Sequence, residues 1–197
     1  MVLTENKRRI DFSVNPYKVD YNSWPLDWLA NYIEKKQRRS MTKISKAIGP
    51  KLSSMRKNYN SELLQMERLV NESIEQLFDH MKKEEAGLFP FIREVITAKE
   101  LCQRINRHAF FEIEALILLL NEDHKRESQR LKLIAQAKNN YTALGNYAKM
   151  HKALFVTFSD LQEALELHIY LQSKFLFPKI SGEDNLVVPF EAASNAS

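Results

Sequence analysis

Three histidines of this chain, His80, His124 and His168, stand where a helical repeat calls for an apolar residue. Glu84 follows His80 by four positions, so the two stack on one helix face. An imidazole nitrogen and a carboxylate oxygen so placed can aim at one interior point, a donor set that suits iron, manganese or zinc. A single histidine on an apolar stripe is usually a hydrogen-bonded core residue. Three on separate helices point instead to a metal site, because a buried carboxylate needs a cation or a donor beside it.

The pattern repeats within the chain. His80-Met81-Lys82-Lys83-Glu84-Glu85-Ala86-Gly87-Leu88-Phe89-Pro90 aligns with His168-Ile169-Tyr170-Leu171-Gln172-Ser173-Lys174-Phe175-Leu176-Phe177-Pro178. His, Leu, Phe and Pro recur at the same spacing, with Glu84 in one copy and Gln172 in the other. Such a repeat implies a pseudo-two-fold relation between the second and fourth helices. Each Leu-Phe-Pro is expected to close a bundle end, two apolar side chains packing inward and the proline stopping or kinking the helix.

Four helices must position these groups. The first is predicted from about Pro25 to Ile48, with Leu26, Leu29, Ile33, Met41, Ile44 and Ile48 near helical spacing, Ser23 as its cap and Gly49-Pro50 as its end. The second runs from Lys51 or Ser53 to Gly87 along Leu63, Met66, Val70, Ser73, Leu77, His80 and Glu84. Residues Phe91 to Arg107 are either an extra helix or an extension of the second. From Phe110 the third is firm through Ile113, Ile117, Leu120, His124, Glu127, Leu131 and Ile134. The fourth spans about Asn146 to Phe175. Short connections predict an all-α, antiparallel up-down four-helix bundle over residues 25–180. An arm (1–24) precedes it, and a tail (181–197) follows whose segment Leu186 to Phe190 would fold back.

Composition agrees with one domain: 197 residues, 44% hydrophobic and 27% charged, with only 4 Gly and 6 Pro to interrupt helices. No 18-residue apolar run predicts a membrane span, and Met1 to Arg9 lacks the apolar stretch of a signal peptide. The single cysteine, Cys102, excludes an internal disulfide, suits a reducing cytoplasm, and reads as an ordinary helix residue. Lys35, Lys36, Arg38, Arg39, Lys43, Lys46 and Lys51 read as a solvated face; no nucleic-acid motif accompanies them. His108 and His151 fall off the stripes and are assigned to surface or boundary. There is no nucleophile with its base, phosphate loop or dinucleotide fingerprint, so any catalysis would be the metal's.

The His80–Glu84–Leu88-Phe89-Pro90 motif, the Glu122-Asp123-His124 segment and the second Leu-Phe-Pro together resemble the hemerythrin-like di-iron proteins. The nearest group is the repair of iron centres proteins, which act on iron–sulfur clusters. The likeness runs from about Pro25 to Ile180. It implies four histidines and two bridging glutamates around two irons. Carried over, His80, His124 and His168 are three of the histidines, Glu84 is the first glutamate, and Gln172 stands at the second. Counting from the helix start at Pro25 to Leu29, the first histidine position falls on Arg38, or on Gln37 one residue earlier. Residues 1–24 show nothing like the paired-cysteine domain that often precedes the bundle.

The resemblance implies iron, as one or two ions, with zinc or manganese as other occupants. It implies iron–sulfur proteins, nitric oxide and oxygen as partners; a homodimer is left open by the sequence. Gln offers a bridge only its carbonyl oxygen, and an Arg beside the site would repel a metal. The remaining three His and one Glu suffice for one ion if they converge. The alternative is a degenerate module with one metal or none, acting in regulation or protein interaction. In that case Gln37 or Arg38 would fill the vacated space by bonding Gln172 or Glu84.

Overall fold

A computed structural model describes residues 15–55, 61–140 and 148–182, and these are all-helical. They form four rods. The first is α1 (Leu26–Asn31), a π-helical turn (Tyr32–Gln37) and α2 (Arg38–Met55). The second is α3 (Ser61–Lys83), a π turn (Glu84–Leu88) and α4 (Phe89–Glu100). The third is α5 (Arg107–Asn140). The fourth is α6 (Ala148–Leu171), a π turn (Gln172–Leu176) and α7 (Phe177–Ser181). α3 packs on α5 and α2 on α6.

Two apolar clusters fill the interior. One holds Leu29, Ile33, Leu88, Phe89, Ile113, Leu120 and Phe177; the other holds Met41, Ile48, Leu77, Met81, Leu131, Phe158 and Leu165. On the first and third rods the chain passes from the former cluster to the latter; on the second and fourth it passes back. Between them every rod contributes buried polar residues: Gln37, then His80 and Glu84, then His124 and Glu127, then His168 and Gln172.

Several boundaries differ from expectation. Gly49-Pro50 does not end the first helix, which continues to Met55 with Pro50 inside it. Ile48 and Leu52 are both buried on either side of the pair, and Lys51 reaches Thr157 on α6, so tertiary packing overrides the breaker. Ser23 does not cap α1. It lies in a 3-10 turn (Tyr21–Ser23), its hydroxyl donating to Asp20 O at 2.8 Å, and Pro25 occupies the cap position. The second rod runs beyond Gly87 and Pro90 to Glu100, so Phe91 onward extends the second helix. Within residues 15–24, Tyr21 is buried among Trp24, Tyr32 and Phe175. Residues 1–14 and the tail segment Leu186 to Phe190 lie outside the described residues, as does the side chain of His151.

Cys102 is not inside a helix. It sits just past α4 in left-handed conformation, φ 52°. Gln103 N donates to Ala98 O at 2.8 Å and Cys102 N to Lys99 O at 3.3 Å, the paired bonds of a Schellman ending. α5 then starts on Asn106, whose Oδ1 accepts from His108 N at 2.8 Å.

Candidate metal centre

On three of the four rods a π turn holds a member of the polar layer: Gln37, Glu84 and Gln172. In each, an amide reaches back five residues: Arg38 N to Ile33 O, Phe89 N to Glu84 O, and Phe177 N to Gln172 O. The extra residue widens the turn, a distortion that recurs at functional sites. The two halves of the sequence repeat thus share one local fold, with Glu84 and Gln172 each opening a π turn and a proline following in the next α segment. Leu88, Phe89, Leu176 and Phe177 are all buried as expected, but the first Leu-Phe-Pro does not close a bundle end, because its rod runs on to Glu100. At Gly87 a Cβ would meet Leu116 Cδ2 at 2.5 Å, so glycine lets α5 approach this turn closely.

Four of the sequence-selected side chains come together. A ring nitrogen from each of His80, His124 and His168 lies within 4.8 Å of the others. Glu84 Oε1 stands 3.4 Å from His80 Nε2 and 3.2 Å from His168 Nε2, and the two Nε2 atoms are 3.4 Å apart. Two ligands on one tetrahedral ion with bonds of about 2.1 Å are separated by about 3.4 Å. The separations of these three donors are compatible with one shared ion. His124 Nε2 and His168 Nδ1 are buried without hydrogen-bond partners.

Gln172 also joins them. Its Nε2 donates to Glu84 Oε1, and its Oε1 lies 3.3 Å from His80 Nε2. Gln37 and Arg38 do not reach Gln172 or Glu84 by any described bond. Gln37 is buried in the polar layer and donates from Nε2 to Tyr32 Oη at 3.2 Å. Arg38 turns away to pair with Glu85. Of the two register choices, Gln37 is the buried one.

Two residues that sequence reasoning left out support the imidazoles. Asp123 Oδ2 faces His80 Nδ1 at 3.4 Å and is itself held by Lys83 (2.6 Å) and by Arg126. Ser173 Oγ lies 3.1 Å from His124 Nδ1, and Phe177 stacks on the same ring at 5.8 Å between centroids. Carboxylate and hydroxyl groups behind ligating imidazoles fix the tautomer and leave Nε2 to face inward. Neither contact had a signal in the sequence, because each side chain faces an imidazole on another helix.

The charges are coupled. Burial alone would raise the Glu84 carboxyl, but the imidazoles of His168 and His80 outweigh it and hold Glu84 well below the usual range. Burial would likewise lower His80, yet Glu84 and Asp123 raise it above its ordinary value. His124 is pushed down to about 3, by burial first and then by the neighbouring His80 and His168. His80 Nε2 faces the point where the donors meet, so a metal bound there would compete with a proton for that nitrogen. His108 is exposed beside Glu112 and takes no part.

Comparison with known proteins finds distant relatives. The chain is 27% identical over 110 residues to the iron–sulfur cluster repair protein YtfE of Enterobacter sp. (strain 638), and equally to those of Escherichia coli O81 (strain ED1a) and Escherichia coli O1:K1. The match covers 55% of this chain and 44% of each relative, so the chain spans less than half the length of the proteins it matches. No protein-family model matches it. Among the described residues no helix is long and apolar enough to cross a membrane.

Proposed function

We propose that this chain is a hemerythrin-like, up-down four-helix bundle in which His80, Glu84, His124 and His168 hold one transition-metal ion. Iron is the first choice because the similar proteins are named for iron–sulfur cluster repair; zinc and manganese suit the same donors. The observation that carries the reading is the triangle of Glu84 Oε1, His80 Nε2 and His168 Nε2, with edges of 3.2–3.4 Å. The alternating order of the two apolar clusters along successive rods supports the antiparallel topology. The work of the protein would be iron–sulfur cluster repair in the response to nitric oxide and oxidative stress, in the cytoplasm, with damaged iron–sulfur proteins and small gases as partners.

Within this site Asp123 orients His80, Ser173 orients His124, and Phe177 covers one face of the His124 ring. A bound iron would supply an open coordination position for a small ligand or a transferable ion. Elemental analysis after iron-replete expression should find about one metal per chain, and His124→Ala should abolish uptake. Less than about 0.2 metal per chain in the unaltered protein would reject the reading. Retained stoichiometry in the variant would remove His124 from the site.

A second reading rests on the hydrogen bond from Gln172 Nε2 to Glu84. It satisfies the carboxylate without a cation, as a degenerate module acting in regulation or protein interaction would need. An unchanged melting temperature with excess iron(II), zinc(II) or manganese(II) would favour this reading.

A further inference from the structure

Beside the imidazoles, between α3, α5 and α6, lies a cavity of about 30 Å³ lined by His80, His124, His168, Glu127, Arg130 and Gln76 among others. That is room for one or two molecules the size of water. Glu127 lies one helical turn beyond His124 and is only 8% exposed. Its Oε2 accepts from Arg130 Nη1, while Oε1 is buried with no partner. A buried carboxylate oxygen left unbonded is costly, and Glu127 plays no part in the ligand set. His124 Nε2, also unpartnered, belongs to a ring on the same wall.

We propose that this cavity is a subsite for one small hydrogen-donating molecule, which bonds to Glu127 Oε1 on one side and faces the imidazoles on the other. A carboxylate only accepts hydrogen bonds, so the subsite favours guests that carry a proton, such as water or hydrogen peroxide. It disfavours acceptor-only anions such as azide, which would meet a negative oxygen across a few ångströms. Arg130 offsets part of that charge. Glu127 is thus a positioning and selectivity residue, not a ligand. The part concerning guests on a bound metal rests on the metal reading above; the part concerning the cavity does not.

Two measurements decide it. A crystal structure of the metal-free protein at a resolution that orders water should show a solvent molecule within hydrogen-bond distance of Glu127 Oε1, and a dry cavity would overturn the proposal. In the cobalt(II)-loaded protein, titrated with sodium azide and followed by visible absorption, Glu127→Gln should bind azide about tenfold more tightly with metal stoichiometry unchanged. Arg130→Gln should shift azide affinity the opposite way. Unchanged affinity, or either sign reversed, would overturn the proposal, and if one variant fails to fold the other still gives a sign. Failure of the unaltered protein to take up cobalt would end the metal reading instead, while the metal-free structure still decides the subsite.

Discussion

Exchanging a carboxylate oxygen for an amide nitrogen reverses a hydrogen bond, and Gln172 shows the consequence. Its amide donates to Glu84 Oε1, where a glutamate would place a second negative oxygen in contact. Gln172→Glu should therefore destabilise the metal-free protein by about 1–3 kcal/mol and enlarge the rise in melting temperature on adding metal. A variant as stable as the parent without metal would contradict this. The buried charges also give a pH dependence. His124 holds no proton in the folded state until about pH 3, against an ordinary value of 6.5, so the unfolded chain takes up that proton first and stability falls as pH drops through this window. Glu84 and Asp123, both lowered, lose their contribution in the same direction. His80, raised, opposes them with a contribution that is lost as pH rises through its folded value. Thermal melts of the metal-free protein should show the midpoint falling from about pH 7 to about pH 4, and a flat or rising midpoint would refute the balance. At this scale the convergence of His80, Glu84, His124 and His168 was legible because their spacing shares the register of the core. Gln37 and Arg38 could not be separated, since a π turn adds a residue that counting by helical periods does not foresee.

Helices were legible as stripes, and their ends were not. Gly49-Pro50 and Pro90 read as stops by local chemistry, yet burial of Ile48 and Leu52, and of Phe91, Ile92 and Val95, carries each helix past its proline. The π turns have no local signature beyond the repeated Leu-Phe-Pro that follows two of them. One ending carries a testable cost. Cys102 occupies a left-handed position that favours glycine, with its Schellman bonds already in place. Cys102→Gly should raise stability by about 0.5–1 kcal/mol in chemical denaturation. A loss of stability would mean that the thiol makes a contact worth more than the strain.

Across the whole molecule, a polar layer lies between two apolar clusters, and three of the four rods supply the imidazoles and the carboxylate. A metal at their meeting point would tie those rods together, so loading should raise the melting temperature in proportion to the logarithm of free metal above its dissociation constant. The bundle class followed from the stripes and scarce breakers; the sandwich of clusters around one layer did not, because it depends on which stripe residues share a level. X-ray absorption at the edge of the bound metal should show a single ion with a shell of nitrogen and oxygen at about 2.0–2.2 Å that carries imidazole scattering, and no second metal nearby. A metal–metal distance of about 3.5–4 Å, or a shell without imidazole, would contradict it.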